Sequence, residues 1–105
     1  MDETELNALA KEHGEIAVFR TPAGVAVFRT PPQDAYERFV DKLTADKGSK
    51  AAAMRELALA SRLRPTDAQA LLDIFASKPA LPLQIGSKLQ DMAGAEVEAE
   101  TYKSG

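Results

Sequence analysis

Two strand-like segments separated by a tight turn constrain this chain more than any other feature. Glu15 to Arg20 reads EIAVFR and Val25 to Thr30 reads VAVFRT, and both are rich in β-branched and aromatic residues. Between them stands Thr21-Pro22-Ala23-Gly24. Proline suits the second position of a turn, and glycine accepts the positive φ that follows. The pattern predicts an antiparallel β-hairpin.

Both faces of this hairpin are mostly apolar, whereas the strands of a hairpin with one solvent-exposed face alternate apolar and polar residues. Pairing Thr21 with Val25 predicts that Phe19 and Phe28 lie on opposite faces. Either both faces are covered within the fold, or a second chain covers one of them. We expect one phenylalanine in the core and the other at an interface. The candidate partner-binding residues are Phe19, Phe28, Arg20 and Arg29.

The rest of the chain favours helices, so the predicted class is α+β. Asp2 can cap an N-terminal helix that Gly14 ends. After the hairpin, apolar spacing predicts about four helices. One follows Pro31-Pro32, one over 50–63 is capped by Ser49, one is capped by Thr66 and closed by Lys78-Pro79, and the last runs over 81–93 and is stopped by Gly94. The stripe expected to pack on the hairpin consists of Tyr36, Phe39, Val40 and Leu43. Gly86, inside the last helix, predicts a close helix approach.

The 105 residues fit a single domain, which we place at residues 1–94. Residues 95–105 contain alternating acids and little to bury, so we expect a flexible acidic tail. A short linker is expected at 46–48. The start of the chain lacks the basic and apolar regions of a signal peptide, and no apolar run could span a bilayer. These features predict a cytoplasmic protein without membrane contact.

The residue types that carry most enzyme chemistry are scarce. There is no cysteine, His13 is the single histidine, and no glycine-rich phosphate loop occurs. We therefore predict no catalytic, cofactor or metal site, and no enzyme activity. The net charge is -3, but residues 17–64 hold nine basic and five acidic side chains. A nucleic-acid site on Arg20, Arg29, Arg38 and Lys42 is the alternative, and it is less favoured because specific binders carry a denser basic stripe.

The order of short motifs resembles a family of small phage proteins. Lys-Glu-His-Gly-Glu precedes the hairpin, Pro-Pro-x-x-x-Tyr-x-Arg-Phe and Ser-Lys-Ala-Ala follow it, and Ala-Leu-Leu-Asp, Lys-Pro-Ala-Leu and Met-Ala-Gly complete the series. Over residues 6–94 this resembles the tail-assembly, chaperone-like proteins of tailed bacteriophages and prophages. Arg64, before Pro65, stands where that family often has an apolar residue.

The resemblance implies a protein-binding function in the cytoplasm of a bacterial host. Members of the family are thought to bind the tape-measure protein, or to oligomerise, during tail assembly. The expected partner is therefore a phage tail protein, with a homo-oligomer also allowed. The family supplies no catalytic residues.

Overall fold

The computed structural model describes residues 1–45, 49–95 and 99–104. The helices are α1 (Glu3–His13), α2 (Gln33–Thr44), α3 (Lys50–Ser61), α4 (Ala68–Ser77) and α5 (Leu81–Gln90), and a π-helical turn, Asp91–Ala95, follows the last of them. The strands are β1 (Ile16–Thr21), β2 (Gly24–Arg29) and β3 (Arg62–Arg64). They form one antiparallel sheet in the order β1-β2-β3. The predicted α+β class and the order of its elements are confirmed.

The hairpin forms where predicted, but its register is one residue tighter. Thr21 pairs with Gly24 rather than with Val25, so only Pro22 and Ala23 form the loop. The Thr21 hydroxyl explains the tighter turn, because its Oγ1 accepts from the N–H groups of Ala23 (3.2 Å) and Gly24 (3.1 Å). It also donates to the Gly24 carbonyl at 2.8 Å. Gly24 has the expected positive φ, at 148°.

A third strand occupies the end of the helix predicted over 50–63. Helix α3 stops at Ser61, and Arg62–Arg64 pairs with β2 through Arg62–Phe28 and Arg64–Val27. Pro65 disfavours helical backbone only at Arg64, so the earlier end at Ser61 goes with the pairing of Arg62–Arg64 to β2. The sheet therefore has two different edges, a three-residue strand on one side and the six-residue β1 on the other.

The core lies between one face of the sheet and the helices α2 to α5. Ala26 and Phe28 contribute from β2, and they pack with buried residues of the helices, among them Phe39, Leu57, Leu71, Ile85 and Leu89. Helices α3 and α5 approach closely at Gly86, as predicted. A Cβ added there would overlap the Met54 Sδ atom, so the missing side chain makes room for Met54.

Helix α1 is held at both ends by the predicted caps. The Asp2 carboxylate accepts from the Glu5 N–H at 2.9 Å, and the Gly14 N–H donates to the Ala10 carbonyl at 2.8 Å. Leu9 is its buried residue, and the helix contacts β1. The Glu5 carboxylate pairs with Arg64 Nε at 3.5 Å, which ties α1 to β3.

The tail has neither helix nor strand over residues 99–104, and these residues are exposed. The Tyr102 hydroxyl donates to the Glu100 carboxylate at 2.7 Å. The linker expected at 46–48 and the tail acids Glu96 and Glu98 lie outside the described residues. The boundary placed at residue 94 stays a prediction.

Candidate functional site

The two phenylalanines of the hairpin lie on one face, so the prediction of opposite faces is wrong. In the observed register Phe19 pairs with Ala26 and Phe28 pairs with Ala17, and paired residues share a face. The Phe19 and Phe28 rings meet edge to face with centroids 5.9 Å apart. Phe28 is fully buried, and Phe19 packs against the same core while half-buried. The observed register differs from the predicted one by one residue, and a shift of one residue exchanges the two faces of β2. Phe28 therefore lies on the same face as Phe19.

The outer face of the hairpin carries the two candidate arginines. On this face Arg20 pairs with Val25, Val18 with Val27, and Ile16 with Arg29. Arg20 and Arg29 therefore stand near opposite ends of the face, about 13 Å apart along the strands. Arg20 is exposed and Arg29 is half-buried. The structure does not bring them together into one anion-binding cluster.

Strand β1 forms an open edge of the sheet. No other strand of the described chain pairs with its free side, and β2 occupies the other. Val18, in the middle of β1, is 36% exposed, although its cross-strand neighbour Val27 is fully buried. Unpaired N–H and C=O groups along an edge can accept a strand from another chain. We name this open edge, together with the β1 residues on the outer face of the hairpin, the β1 surface. Its residues are Ile16, Val18 and Arg20.

Part of the positive charge in the middle of the chain is neutralised by ion pairs. Arg38 pairs with Asp34 at 3.3 Å and Lys42 pairs with Glu56 at 2.6 Å. The hydrogen bond from Arg38, together with the Ala35 backbone N–H, lowers the pKa of the Asp34 carboxyl below its ordinary value. Two of the four residues named for a nucleic-acid site are therefore engaged with acids.

A second exposed apolar surface lies on α2, where the sequence predicted a packing stripe. Phe39 is buried as expected and Tyr36 is half-buried, with ring centroids 5.5 Å apart. Val40 and Leu43, however, are 41% and 39% exposed. The expectation that all four residues pack on the core is therefore wrong for these two. The buried residues of α2 are instead Ala35 and Phe39, which lie one turn apart on the same side of the helix. This side does not include Val40.

We name Tyr36, Val40 and Leu43 the α2 strip. Sequence reasoning assigned all three residues to the core, which holds for the half-buried Tyr36 but missed Val40 and Leu43 as a surface. The signal was present in Ala35, which stands four residues before Phe39 and marks the centre of the buried side. Its small side chain made it easy to overlook beside three larger apolar residues.

Neither a group of metal ligands nor a membrane-spanning helix occurs in the part of the chain that the structure describes. Across residues 1–45, 49–95 and 99–104, no three histidine, aspartate or glutamate side chains are grouped to hold a metal ion. No helix within the same ranges is long and apolar enough to cross a membrane. His13 is half-buried at the end of α1, with its Nε2 atom 3.7 Å from the Glu12 carboxylate.

Comparison with known proteins places the fold and the family. No curated protein matches this chain. The solved structure of an uncharacterised protein from Bacillus stearothermophilus is similar, with a TM-score of 0.69 and 21% sequence identity. The similarity covers 92% of this chain and 99% of the other, and it shows a shared fold. Residues 23–102 match the family described as "Domain of unknown function (DUF6848)", a match that begins in the hairpin turn. The chain therefore belongs to the DUF6848 family.

Proposed function

We propose that this chain is a non-enzymatic protein-binding domain that acts in the assembly of a phage tail. Its partner would be the tape-measure protein or another tail protein, met in the cytoplasm of the bacterial host. The phage context rests on the motif order over residues 6–94 described above. The observation that carries protein binding is the open edge of β1 with Val18 exposed in its middle.

The β1 surface suits a protein partner for two physical reasons. An added strand satisfies the backbone groups of the open edge, and an apolar side chain of the partner covers Val18. Arg20 is exposed at one end of the strand, where it can meet an acidic group of the partner. Charge at the rim of an interface contributes more to the association rate and to specificity than to affinity.

Nucleic-acid binding is the second candidate, favoured by Arg20 and Arg29. Neither arginine forms an ion pair with a described residue, and both lie on the outer face of the hairpin. Against it, Arg38 and Lys42 pair with acids. DNA or RNA binding through two isolated arginines would be weak, because the electrostatic contribution grows with the number of phosphate contacts.

The test is to coexpress the full chain with the tape-measure protein of the phage or prophage that encodes it. Copurification at moderate salt is expected. Val18→Lys should greatly reduce it, because a lysine in an edge strand opposes strand addition. Leu83→Lys is the matched control, since Leu83 is an apolar residue of α5 with 44% exposure. Thermal melts of both variants check that the fold is intact.

Three results would count against this proposal. One is a complex that Val18→Lys and Leu83→Lys weaken equally. Another is the failure of every tail protein of that phage to copurify. The third is binding to DNA that disappears in the double variant Arg20→Gln, Arg29→Gln and with added salt, which would favour the nucleic-acid candidate.

A further inference from the structure

The α2 strip has the geometry of a helix-packing seam. Tyr36, Val40 and Leu43 are spaced by four and then three residues, which is the spacing of a seam between two packed helices. They span about 10 Å along α2. The helix meets the core with Ala35 and Phe39, so the strip runs beside the buried side and not within it.

A groove continues the strip at the start of α2. It has a volume of about 420 Å³, and Tyr36 belongs to both features. The groove lies between the segment that leaves β2, the first turns of α2 and the π-helical turn, and its apolar lining includes Pro31, Met92 and Ala93. The strip and the groove therefore form one continuous feature from Leu43 past Tyr36 to Met92, and the polar lining of the groove consists of Thr30, Gln33 and Glu37.

The side of the strip that faces away from the core is acidic. Glu37 and Asp41 lie there, one turn apart, and both are exposed. Neither forms an ion pair among the residues that the structure describes, whereas the other acids of α2 and α3, Asp34 and Glu56, are paired. The free charge beside the strip is therefore negative.

We propose that the α2 strip docks an amphipathic helix of another protein whose apolar seam is bordered by lysine or arginine. Such a helix of about three turns would cover Val40 and Leu43 and place one apolar side chain in the groove beside Tyr36. Its basic residues would face Glu37 and Asp41. The inference rests on the proposed protein-binding function and adds the chemistry of one partner segment.

A second copy of this chain fits the strip less well. Packing α2 against α2 of another copy would bring the two acidic borders together, and like charges across an interface oppose association. Charge complementarity therefore favours a basic-bordered helix over self-association.

The test uses two synthetic helical peptides of about three turns with the same leucine seam, one bordered by lysine and one by glutamate. Each is titrated into the full chain at low salt, and amide chemical shifts are followed by NMR. The lysine peptide should bind at least about tenfold more tightly and shift the signals of α2 and Met92. The double charge reversal Glu37→Lys, Asp41→Lys leaves the core untouched and should invert this preference.

Apolar contacts are tested with Val40→Ser, Leu43→Ser, which should weaken the lysine peptide about tenfold or more. Leu83→Ser, on α5, is the control of similar exposure and should have no effect. Equal binding of both peptides, shifts confined to β1, or equal weakening by Leu83→Ser would overturn the inference. So would a dimer of the free chain that Val40→Ser, Leu43→Ser dissolves.

Failure of this inference is distinguishable from failure of the proposed function. If a tail protein copurifies and Val18→Lys, but not the α2 variant, reduces it, the α2 inference is wrong and the function stands. If the lysine peptide binds α2 and no tail protein copurifies, the α2 inference stands without the phage assignment.

Discussion

The interface between α3 and α5 and the α2 strip contain the same kinds of apolar residue, but the interface is buried and much of the strip is exposed. Met54, Leu57 and Ala58 of α3 and Ile85 and Leu89 of α5 are buried in one core cluster, and the two helices meet where Met54 lies against Gly86. Val40 and Leu43 of α2, at equally regular helical spacing, remain about two-fifths exposed. Spacing determines which residues share a side of a helix, but the neighbouring elements determine which side is covered.

This difference in burial decides whether an apolar residue mainly stabilises the fold or remains available to bind a partner. A fully buried leucine contributes roughly 1.5–3 kcal/mol from the burial of its apolar surface. A half-exposed one contributes less and still has surface that a partner can cover. We expect the α3–α5 interface to hold the domain together and the α2 strip to tolerate substitution.

The largest difference in stability is expected when a leucine is replaced by alanine in each of the two regions. Leu57→Ala leaves a cavity between packed helices and should lower the free energy of unfolding by about 2–5 kcal/mol. Leu43→Ala should lower it by less than about 1 kcal/mol, as is usual at surfaces. Urea denaturation of both variants measures the two changes. Equal losses would show that the α2 strip is covered in solution.

A smaller effect is expected for Gly86→Ala, where α5 packs against Met54 of α3. The new Cβ would overlap Met54, and overpacking costs about 1–3 kcal/mol, while alanine regains about 1 kcal/mol of helix propensity. We expect a net loss of stability. In a Met54→Ala background the same change should be neutral or stabilising. A double-mutant cycle from thermal melts measures this coupling, and a stabilising Gly86→Ala in the natural background would contradict it.

The smallest effect is expected at the exposed pair of Asp34 and Arg38 on α2. The pKa of Asp34 is lower in the folded chain than its ordinary value, because the carboxylate accepts from Arg38 and from a backbone N–H. Its contribution is therefore present at neutral pH and is lost as the pH falls through the folded-state pKa.

Asp34→Asn should lower the melting temperature slightly at neutral pH and leave it unchanged in acid. Asp41→Asn is the control on the same helix, since Asp41 has no ion pair among the described residues. The contrary outcome is a destabilisation by Asp34→Asn that persists in acid.

Local chemistry allowed the sequence to predict much of the fold. The caps at Asp2, Ser49 and Gly14 and the stop at Gly94 all act within a few residues, so their neighbours in sequence determine them. The position of the hairpin turn was also predicted, although its loop is one residue shorter than expected. One small error was the cap of α4, which is Asp67 and not the Thr66 that precedes it.

The remaining errors involve contacts that local patterns do not contain. Strand β3 exists because β2 lies beside it, more than thirty residues earlier in the chain. The Thr21 side chain favours a hairpin register that differs by one residue from the predicted one. This difference alone places both phenylalanines on one face. The exposure of the α2 strip depends on where α3 packs. The sequence therefore predicted the candidate site on the hairpin only in part and did not predict the one on α2.

The contact between Gly86 and Met54 also has an evolutionary consequence. The two positions share one volume, because the Met54 sulfur occupies the place of a side chain at position 86. A larger residue at 86 is compatible with this helix spacing only when residue 54 becomes smaller. Among members of the family, we expect the two positions to vary together, so that the sum of their side-chain volumes changes less than either does alone.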